Sequence, residues 1–322
     1  MPRSRLADRL IDRIAGVLAD RVAERLQAEA APSRGARTAP ADSRGGDALG
    51  QSIRVDYAVK PRPRWGETWG LPAHELLTRI IRSDDDFVAG NLAILPRYRQ
   101  SLQAIPEDRA DASGPHWVNG WLPGWDGAAI YAYLADRRPA TYLEVGSGNS
   151  TKFARRAIAD QDLATRVVSV DPCPRAEVND LCDTVIREPL EDVDLALLSQ
   201  LTSGDIVFID NSHRVFQNSD VTVAFLELLP RLPPGVLIGF HDIFLPNDYP
   251  SHWADRYYSE QYLLAAFLLG GHANTRIFLP AFDASKRPAM SRVVNAIWEH
   301  PHLQRVERHG GAFWLETCGA SG

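Results

Sequence analysis

From Gly120 to the end of the chain, short apolar runs alternate with longer amphipathic stretches. The runs predict strands and the stretches predict helices, and such alternation is typical of a doubly wound α/β fold. We therefore expect a mostly parallel seven-stranded sheet with helices on both faces, in which the last two strands can supply an antiparallel edge. Asp126 is the expected N-cap of the first helix in this region. Strands are predicted at residues 141–145, 166–170, 184–186, 205–209, 235–240, 276–279 and 312–315, and helices at 72–82, 126–135, 151–159, 177–182, 193–201, 219–229, 257–269 and 291–298.

The first 50 residues follow a different pattern. Over residues 1–30, apolar positions recur three or four apart with arginine and acidic residues between them, which predicts an amphipathic helix. Residues 31–50 are rich in Ala, Pro, Ser, Arg and Gly, a composition typical of a flexible linker. The pattern favours an N-terminal helical extension that forms a homo-oligomer or docks loosely. It disfavours a helix lying on a membrane, because its arginines are nearly balanced by acids.

Residues 51–118 contain scattered aromatics and many prolines, and we interpret them as a cap on a main domain of residues 119–322. Five tryptophans in or near the cap either pack it onto the core or line a sugar- or aromatic-binding surface: Trp65, Trp69, Trp117, Trp121 and Trp125. The helix predicted at 257–269 opens with polar and aromatic residues that we expect to lie over a site, namely Tyr257, Tyr258, Glu260 and Gln261.

Composition narrows the class of protein. The chain has 322 residues, 45% of them hydrophobic, and a net charge of −6. It can bury a sizeable core, and the lack of a basic excess disfavours nucleic acid as its main partner. Its three cysteines cannot form a disulfide framework, and no apolar run approaches the roughly 20 residues that a membrane span needs. We expect a cytoplasmic protein without a membrane span.

Residues that could bind a ligand or take part in a reaction follow the predicted strands, where ligands of doubly wound sheets bind. The first strand leads into Glu144-Val145-Gly146-Ser147-Gly148-Asn149-Ser150-Thr151. Its two glycines allow close backbone approach, and the following helix N-terminus can bind an anion, although a tight turn alone would explain the motif. The third glycine of a dinucleotide fingerprint is missing, which favours a ligand with one carboxylate and one ammonium over a pyrophosphate. Asp171 ends the second strand and can accept two ribose hydroxyls.

The segments EVGSGNST, VVSVDP, DIVFIDNSH and GVLIGFHDIF occur in this order along the chain. Over about residues 120–316 the chain resembles class I S-adenosylmethionine-dependent methyltransferases, and most closely their bacterial small-molecule branch with IDxxH after the fourth strand. The resemblance implies a Rossmann-like sheet and S-adenosyl-L-methionine as cofactor. It also implies that the glycine loop binds the methionine moiety, Asp171 the ribose, and residues 187–190 lie near the adenine. The cofactor-binding residues so expected are Glu144, Gly146, Ser147, Gly148, Asn149, Ser150, Asp171 and Asp210.

Two histidines and two aspartates follow the fourth and fifth strands: Asp210, His213, His241 and Asp242. We expect them to face one pocket and to be the catalytic residues. For a hydroxyl acceptor a base must remove the proton, and a neutral imidazole suits this task near pH 7. We favour His241, which Asp210 or Asp242 could orient, over His213. The resemblance also leaves a divalent metal open, but His241-Asp242 stands where metal-dependent relatives often have an acid–acid or acid–amide pair.

The sequence thus favours methyl transfer to a small-molecule or glycan-type acceptor, at oxygen. An NAD-linked oxidoreductase is the alternative enzyme, and the missing third glycine and the position of Glu144 disfavour it. A non-catalytic protein that retains the fold and acts through its N-terminal helix is the alternative outside enzymes. The acids and histidines at the strand ends disfavour that reading.

Overall fold

The computed structural model describes residues 53–54, 56–111, 113–174 and 178–319. The described residues from Val59 onward belong to one compact unit. The helix predicted over residues 1–30 and the linker predicted over 31–50 lie outside the described residues. Among the described helices, none is both long and apolar enough to cross a membrane.

Seven strands of the described chain form a single sheet in the order β3-β2-β1-β4-β5-β7-β6. Strands β1 to β5 pair in parallel, while β7 lies antiparallel between β5 and β6. This confirms the predicted mostly parallel, Rossmann-like sheet and its antiparallel edge. The strands are β1 Thr141–Val145, β2 Arg166–Val170, β3 Thr184–Ile186, β4 Ile206–Ile209, β5 Leu237–Phe240, β6 Thr275–Pro280 and β7 Phe313–Thr317.

Each central strand contributes side chains to two separate cores, because successive residues of a strand point to opposite faces. Ile206 and Phe208 of β4 belong to one hydrophobic core, and Val207 and Ile209 belong to the other. Helices cover both faces, since one core also includes residues of Gly124–Arg137 and the other includes residues of Glu260–Leu269. Buried residues of the cap belong to both cores: Leu92 and Leu102 to the first, and Leu77 and Ile81 to the second.

Most α-helices lie where the sequence predicts a helix, but they often differ from the prediction in length. They are α1 Glu75–Ile81, α2 Asp85–Leu92, α3 Arg99–Gln103, α4 Gly124–Arg137, α5 Asn149–Asp160, α6 Asp220–Val223, α7 Glu260–Leu269, α8 Ala281–Lys286 and α9 Pro288–Asn295. A π-helical turn, Ala224–Leu228, continues α6. Shorter 3₁₀ turns lie at Glu67–Trp69, Leu95–Tyr98, Asn179–Leu181, Leu190–Asp192, Leu195–Gln200, Leu229–Arg231, Ser251–Arg256 and Ala296–Trp298.

Several predicted helices are wrong in detail. The region predicted as a helix over 193–201 forms the 3₁₀ turn Leu195–Gln200, because Val193 is extended and buried in the second core. Of the helix predicted over 177–182, the described part is the turn Asn179–Leu181. The predicted N-cap, Asp126, lies inside α4, which begins two residues earlier at Gly124. The carboxylate of Asp126 instead accepts hydrogen bonds from the backbone N–H groups of Gly311 and Ala312.

Strand register aligns the carboxyl ends of the central strands. Val145 of β1 pairs with Val170 of β2 on one side and with Ile209 of β4 on the other. Ile209 in turn pairs with Phe240 of β5. The residues that follow these positions therefore lie side by side along one edge. The chain leaves β1 toward β2 and β3 and returns to β4 on the other side, so this edge contains the topological switch point where ligands of such sheets bind.

Candidate active site

The turn after β1 is built on a glycine that no other residue can replace. Gly146 has φ +81°, and a Cβ there would lie 1.8 Å from the backbone oxygen of Asp210. The turn therefore crosses directly over the end of β4. Gly148 is different, because a Cβ at that position would meet no protein atom within 4 Å. The first glycine serves the fold, and the second leaves room beside the N-terminus of α5.

Glu144 is fully buried beneath this turn and is not part of a cavity wall. Tyr142 donates its hydroxyl to Oε1 of Glu144 at 2.9 Å, and Thr151 donates its hydroxyl to Oε2. Burial raises the pKa of Glu144 to about 7, although hydrogen bonds from Ser150, Thr151 and Tyr142 oppose the rise. The carboxyl group therefore holds the start of α5 against β1. The geometry assigns it a supporting role rather than the ligand contact expected from the sequence.

Asp171 connects the end of β2 to the glycine turn. Its Oδ2 accepts a hydrogen bond from the backbone N–H of Ser147 at 2.7 Å, and its Oδ1 accepts one from Cys173 at 2.8 Å. Arg187, which follows β3, donates to the backbone oxygen of Asp171 at 3.0 Å. The predicted ribose acid is thus held rigidly at the switch point, with further acceptor capacity on both oxygens.

A cavity of about 690 Å³ opens at this edge between the ends of β1, β2 and β4. The predicted residues on its wall are Gly146, Ser147, Gly148, Asn149, Asp171 and Asp210. The predicted residues that are not on its wall are Glu144, Ser150, His213, His241 and Asp242. The wall also includes Arg109, His116, Asn119 and Lys152, which the sequence did not assign to a site, and Trp121, one of the five tryptophans expected either to pack the cap or to line a binding surface. Arg109 and His116 come from the cap, where the sequence offered no motif.

The four predicted catalytic residues do come together. Nε2 of His213 lies 3.3 Å from Oδ1 of Asp210 and 3.4 Å from Oδ2 of Asp242. Nδ1 of His241 lies 3.2 Å from Oδ1 of Asp210 and 3.7 Å from Oδ1 of Asp242. Both imidazoles therefore contact the same two carboxylates, Asp210 and Asp242. Asp210 alone of the four reaches the cavity, and 27% of its side chain is exposed.

Two further acids complete this buried network, and the sequence did not reveal their role. Oε2 of Glu260, at the start of α7, lies 2.8 Å from Nδ1 of His213. Oδ2 of Asp126, in α4, lies 3.4 Å from Nε2 of His241. Both acids are fully buried, and both histidines are 2% exposed. The two imidazoles thus lie between four carboxylates. We call these six residues the charge network.

These contacts bear on the neutral imidazole that the sequence led us to expect. Burial alone would lower the pKa of His213 and of His241, but the surrounding carboxylates raise both well above the ordinary histidine value. For Asp210, burial would raise the pKa, yet His241 and His213 lower it below its ordinary value. The network therefore favours the charged form of both imidazoles and of Asp210. A protonated, buried imidazole cannot act as the general base.

The charge network has no evident metal site. Within the described part of the chain, no group of three or more His, Cys, Asp or Glu side chains is arranged to hold a metal ion. Oδ1 of Asp210 and both carboxylate oxygens of Asp242 already face the imidazoles at 3.2–3.7 Å. The donor set therefore does not fit a divalent metal in this arrangement.

Comparison with protein families supplies an independent observation. Residues 143–243, from β1 to the end of β5, match the family model described as "Methyltransferase domain". This segment is similar to methyltransferase domains. It includes the glycine turn, Asp171 and Asp210. No curated protein matches the chain in sequence.

Solved structures with a similar fold include several methyltransferases. The O-methyltransferase TomG from Streptomyces achromogenes is 14% identical over 72% of this chain and 90% of its own, with a TM-score of 0.38. The methyltransferase PaMTH1 from Podospora anserina is 15% identical over 84% and 100%, with a TM-score of 0.39. An O-methyltransferase from Bacillus cereus is 15% identical over 71% and 90%, with a TM-score of 0.32. Likeness at this level carries no conclusion about substrate.

Proposed function

We propose that the protein transfers a methyl group from S-adenosylmethionine to a hydroxyl oxygen of a small-molecule or glycan-type acceptor. The observation that carries this proposal is the cavity at the carboxyl edge of the methyltransferase domain, which combines an open glycine turn with an acid after β2 and an acid after β4. S-adenosylmethionine, when bound, supplies a methyl group activated on a positively charged sulfur.

The cavity wall has the features that such a cofactor requires. Gly148 leaves room for close approach, and Asp171 offers oxygens to ribose hydroxyls. The side-chain nitrogen of Asn211 is buried and has no hydrogen-bond partner among the described residues, so it can donate to a ligand acceptor. Thr151 is buried where a dinucleotide fingerprint would continue toward its third glycine, and its hydroxyl bonds to Glu144. This packing disfavours the NAD-linked alternative.

Asp210 is the residue best placed to act on the acceptor. Its carboxylate is ionised, fixed by two imidazolium groups and exposed at the cavity wall. It can accept a hydrogen bond from the acceptor hydroxyl and so orient the oxygen lone pair toward the methyl group. As the new C–O bond forms, positive charge on that oxygen makes its proton far more acidic, so that even a carboxylate of low pKa can take it. His213 and His241 are then positioning residues.

A pair of glycine substitutions tests the cofactor site. Gly148→Ala adds a methyl group where no protein atom lies within 4 Å, so the variant should fold with an unchanged melting temperature. Its affinity for S-adenosylmethionine should fall roughly tenfold, because overpacking a well-fitted contact costs about 1–3 kcal/mol. Gly90→Ala is the matched control, since it adds the same group in equally open space within α2. Calorimetric titration measures both affinities.

Asp171→Ala should weaken binding further, through the lost ribose contacts and the freed Ser147 turn, whereas Asp255→Ala, at an exposed aspartate outside the cavity wall, should not. If the wild-type protein binds NAD but not S-adenosylmethionine, or if Gly148→Ala binds the cofactor as tightly as wild type, the proposed site is wrong. An acceptor screen for a mass gain of one methyl group then tests the reaction itself.

A further inference from the structure

A second cavity, of about 710 Å³, opens beside the start of α7. One wall is the segment of residues 59–65, and the other is formed by residues between Asp248 and Tyr262. We call it the aromatic groove. Its volume suits a small-molecule ligand, for which pockets of about 300–1,000 Å³ are typical. The residues of its second wall that carry rings are Tyr249, Trp253, Tyr257, Tyr258 and Tyr262.

The first wall is strongly cationic. It contains Lys60, Arg62 and Arg64, each followed or preceded by a proline, and all three are exposed. Proline restricts both its own φ and the backbone of the residue before it, so the segment is stiff in an extended form. Within the described chain, none of these three cationic side chains forms an ion pair with a carboxylate. Their charge is therefore available to a ligand.

Asp248 anchors this wall without neutralising it. Its Oδ2 accepts a hydrogen bond from the backbone N–H of Arg64 at 2.9 Å, and its own N–H donates to the backbone oxygen of Trp65 at 3.1 Å. Its Oδ1 accepts hydrogen bonds from the hydroxyl of Tyr262 and from the backbone N–H of Tyr249. Asp248 is 2% exposed, and both of its carboxylate oxygens accept hydrogen bonds from the protein. The groove keeps a net positive field.

The second wall offers ring faces to a ligand. Tyr257 is 55% exposed and Tyr262 is 39% exposed, which is unusual for two large aromatic side chains that share one cavity. The guanidinium of Arg256 lies 4.0 Å from the ring centre of Trp253, so a further cation lies against this wall. Exposed aromatic rings next to cations favour a planar ring that carries negative charge.

The groove is also connected to the charge network. The ring of Tyr258 lies 4.7 Å from the ring of His213, centre to centre, and the backbone oxygen of His213 accepts a hydrogen bond from the N–H of Ser259 at 2.7 Å. His213 in turn contacts Asp210, which is on the wall of the cofactor cavity. One histidine therefore links the groove to the carboxylate that we assign to the acceptor.

We propose that the aromatic groove binds a ring-bearing anion, with a carboxylate or a phosphate as its charged group. This binding site is separate from the cofactor cavity, and the proposal does not depend on the proposed methyl transfer. The cationic segment binds the anionic group, and the exposed tyrosines stack on the ring.

Calorimetry with two pairs of probes tests this on the full chain: 3,4-dihydroxybenzoate against neutral catechol, and UDP-glucose against neutral uridine. At least one anionic probe should bind about tenfold more tightly than its neutral counterpart, as charge-assisted hydrogen bonds predict. The double variant Arg62→Ala/Arg64→Ala should abolish that difference, while the control Arg292→Ala, on exposed α9, should retain it. Tyr257→Ala, which removes the most exposed ring of the groove, should weaken the charged and the neutral probe alike. The anionic probe that binds more tightly shows whether the groove prefers a carboxylate or a phosphate as the charged group of its ligand.

The groove proposal is overturned if neither anionic probe is preferred over its neutral counterpart, or if the preference survives in the double variant. S-adenosylmethionine affinity, measured on the same samples, separates the two proposals. Unchanged cofactor affinity in the double variant, together with a lost probe preference, supports the groove. A wild-type protein that binds the anionic probe but no S-adenosylmethionine would refute the proposed function and leave the groove as a binding site for ring-bearing anions.

Discussion

Replacing Glu144 by glutamine tests whether burial raises the pKa of the carboxyl group beneath the glycine turn. Its pKa in the folded protein is about 7, against an ordinary value of 4.5, chiefly because of burial. The unfolded chain therefore ionises this group at lower pH than the folded one, so its effect on folding becomes unfavourable as the pH rises from 4.5 through 7. The shift corresponds to about 3 kcal/mol. The free energy of unfolding of Glu144→Gln, relative to wild type, should rise by about this amount between pH 5 and pH 8.

Urea denaturation of both proteins across this pH range measures the effect, and the difference between them cancels the other titrating groups. Glu299→Gln is the control, because Glu299 is exposed, and its difference from wild type should not depend on pH. A pH-independent difference for Glu144→Gln would refute the reasoning, since Glu144 would then be ionised at low pH in the folded state too. The same variant should bind S-adenosylmethionine almost as wild type does, because Glu144 is not on the cavity wall.

Two variants test the charge network. Glu260→Gln should lower the pKa of His213, since it removes the carboxylate 2.8 Å from Nδ1, and NMR titration of the ring protons measures this. The ion pair needs a protonated His213 and an ionised Glu260, and burial raises the pKa of Glu260 above its ordinary value. This variant should therefore be most destabilised near neutral pH, and less so at acidic pH, where Glu260 takes up a proton, or at a pH high enough to deprotonate His213. An unchanged titration of His213 would contradict the assignment. His241→Ala should lower the free energy of unfolding by about 3–5 kcal/mol in urea denaturation, because Asp126 loses its buried counter-charge. A fully stable His241→Ala with turnover reduced about 10²–10⁴-fold and unchanged cofactor affinity would instead identify His241 as the base.

The sequence predicted the sheet well because its central strands are short apolar runs with clear ends. Strands β1, β2 and β3 begin and end at the predicted residues. A buried parallel strand needs nearly continuous apolar residues, and this requirement is visible in any single sequence. The region around Val193 misled the prediction because its leucines also suit a helix, whereas burial of an extended Val193 depends on the second core. That core is formed by residues distant in sequence.

Part of the site could also be predicted from the sequence, namely the residues that follow strands. Parallel register carries Gly146, Asp171, Asp210 and His241 to one edge, so their proximity follows from the strand pattern alone. The raised pKa of His241 follows from that pattern only in part, because Asp210 and Asp242 contribute most to the rise. Asp126 adds to it from α4, more than a hundred residues earlier in the chain, and the sequence suggested this residue only as a helix cap.

The acids of the charge network explain why a strand-end histidine is not by itself evidence of a general base. Glu260 belongs to α7 and Asp126 to α4, helices whose buried residues pack in opposite cores of the sheet. Each supplies a buried carboxylate to one imidazole, and the two imidazoles meet at Asp210. Because unpaired buried charges are costly, the network fixes the position of the Asp210 carboxylate from both faces of the sheet at once. Catalytic geometry at the cofactor cavity and packing of the helices therefore depend on the same ion pairs, and a substitution of either histidine should change both.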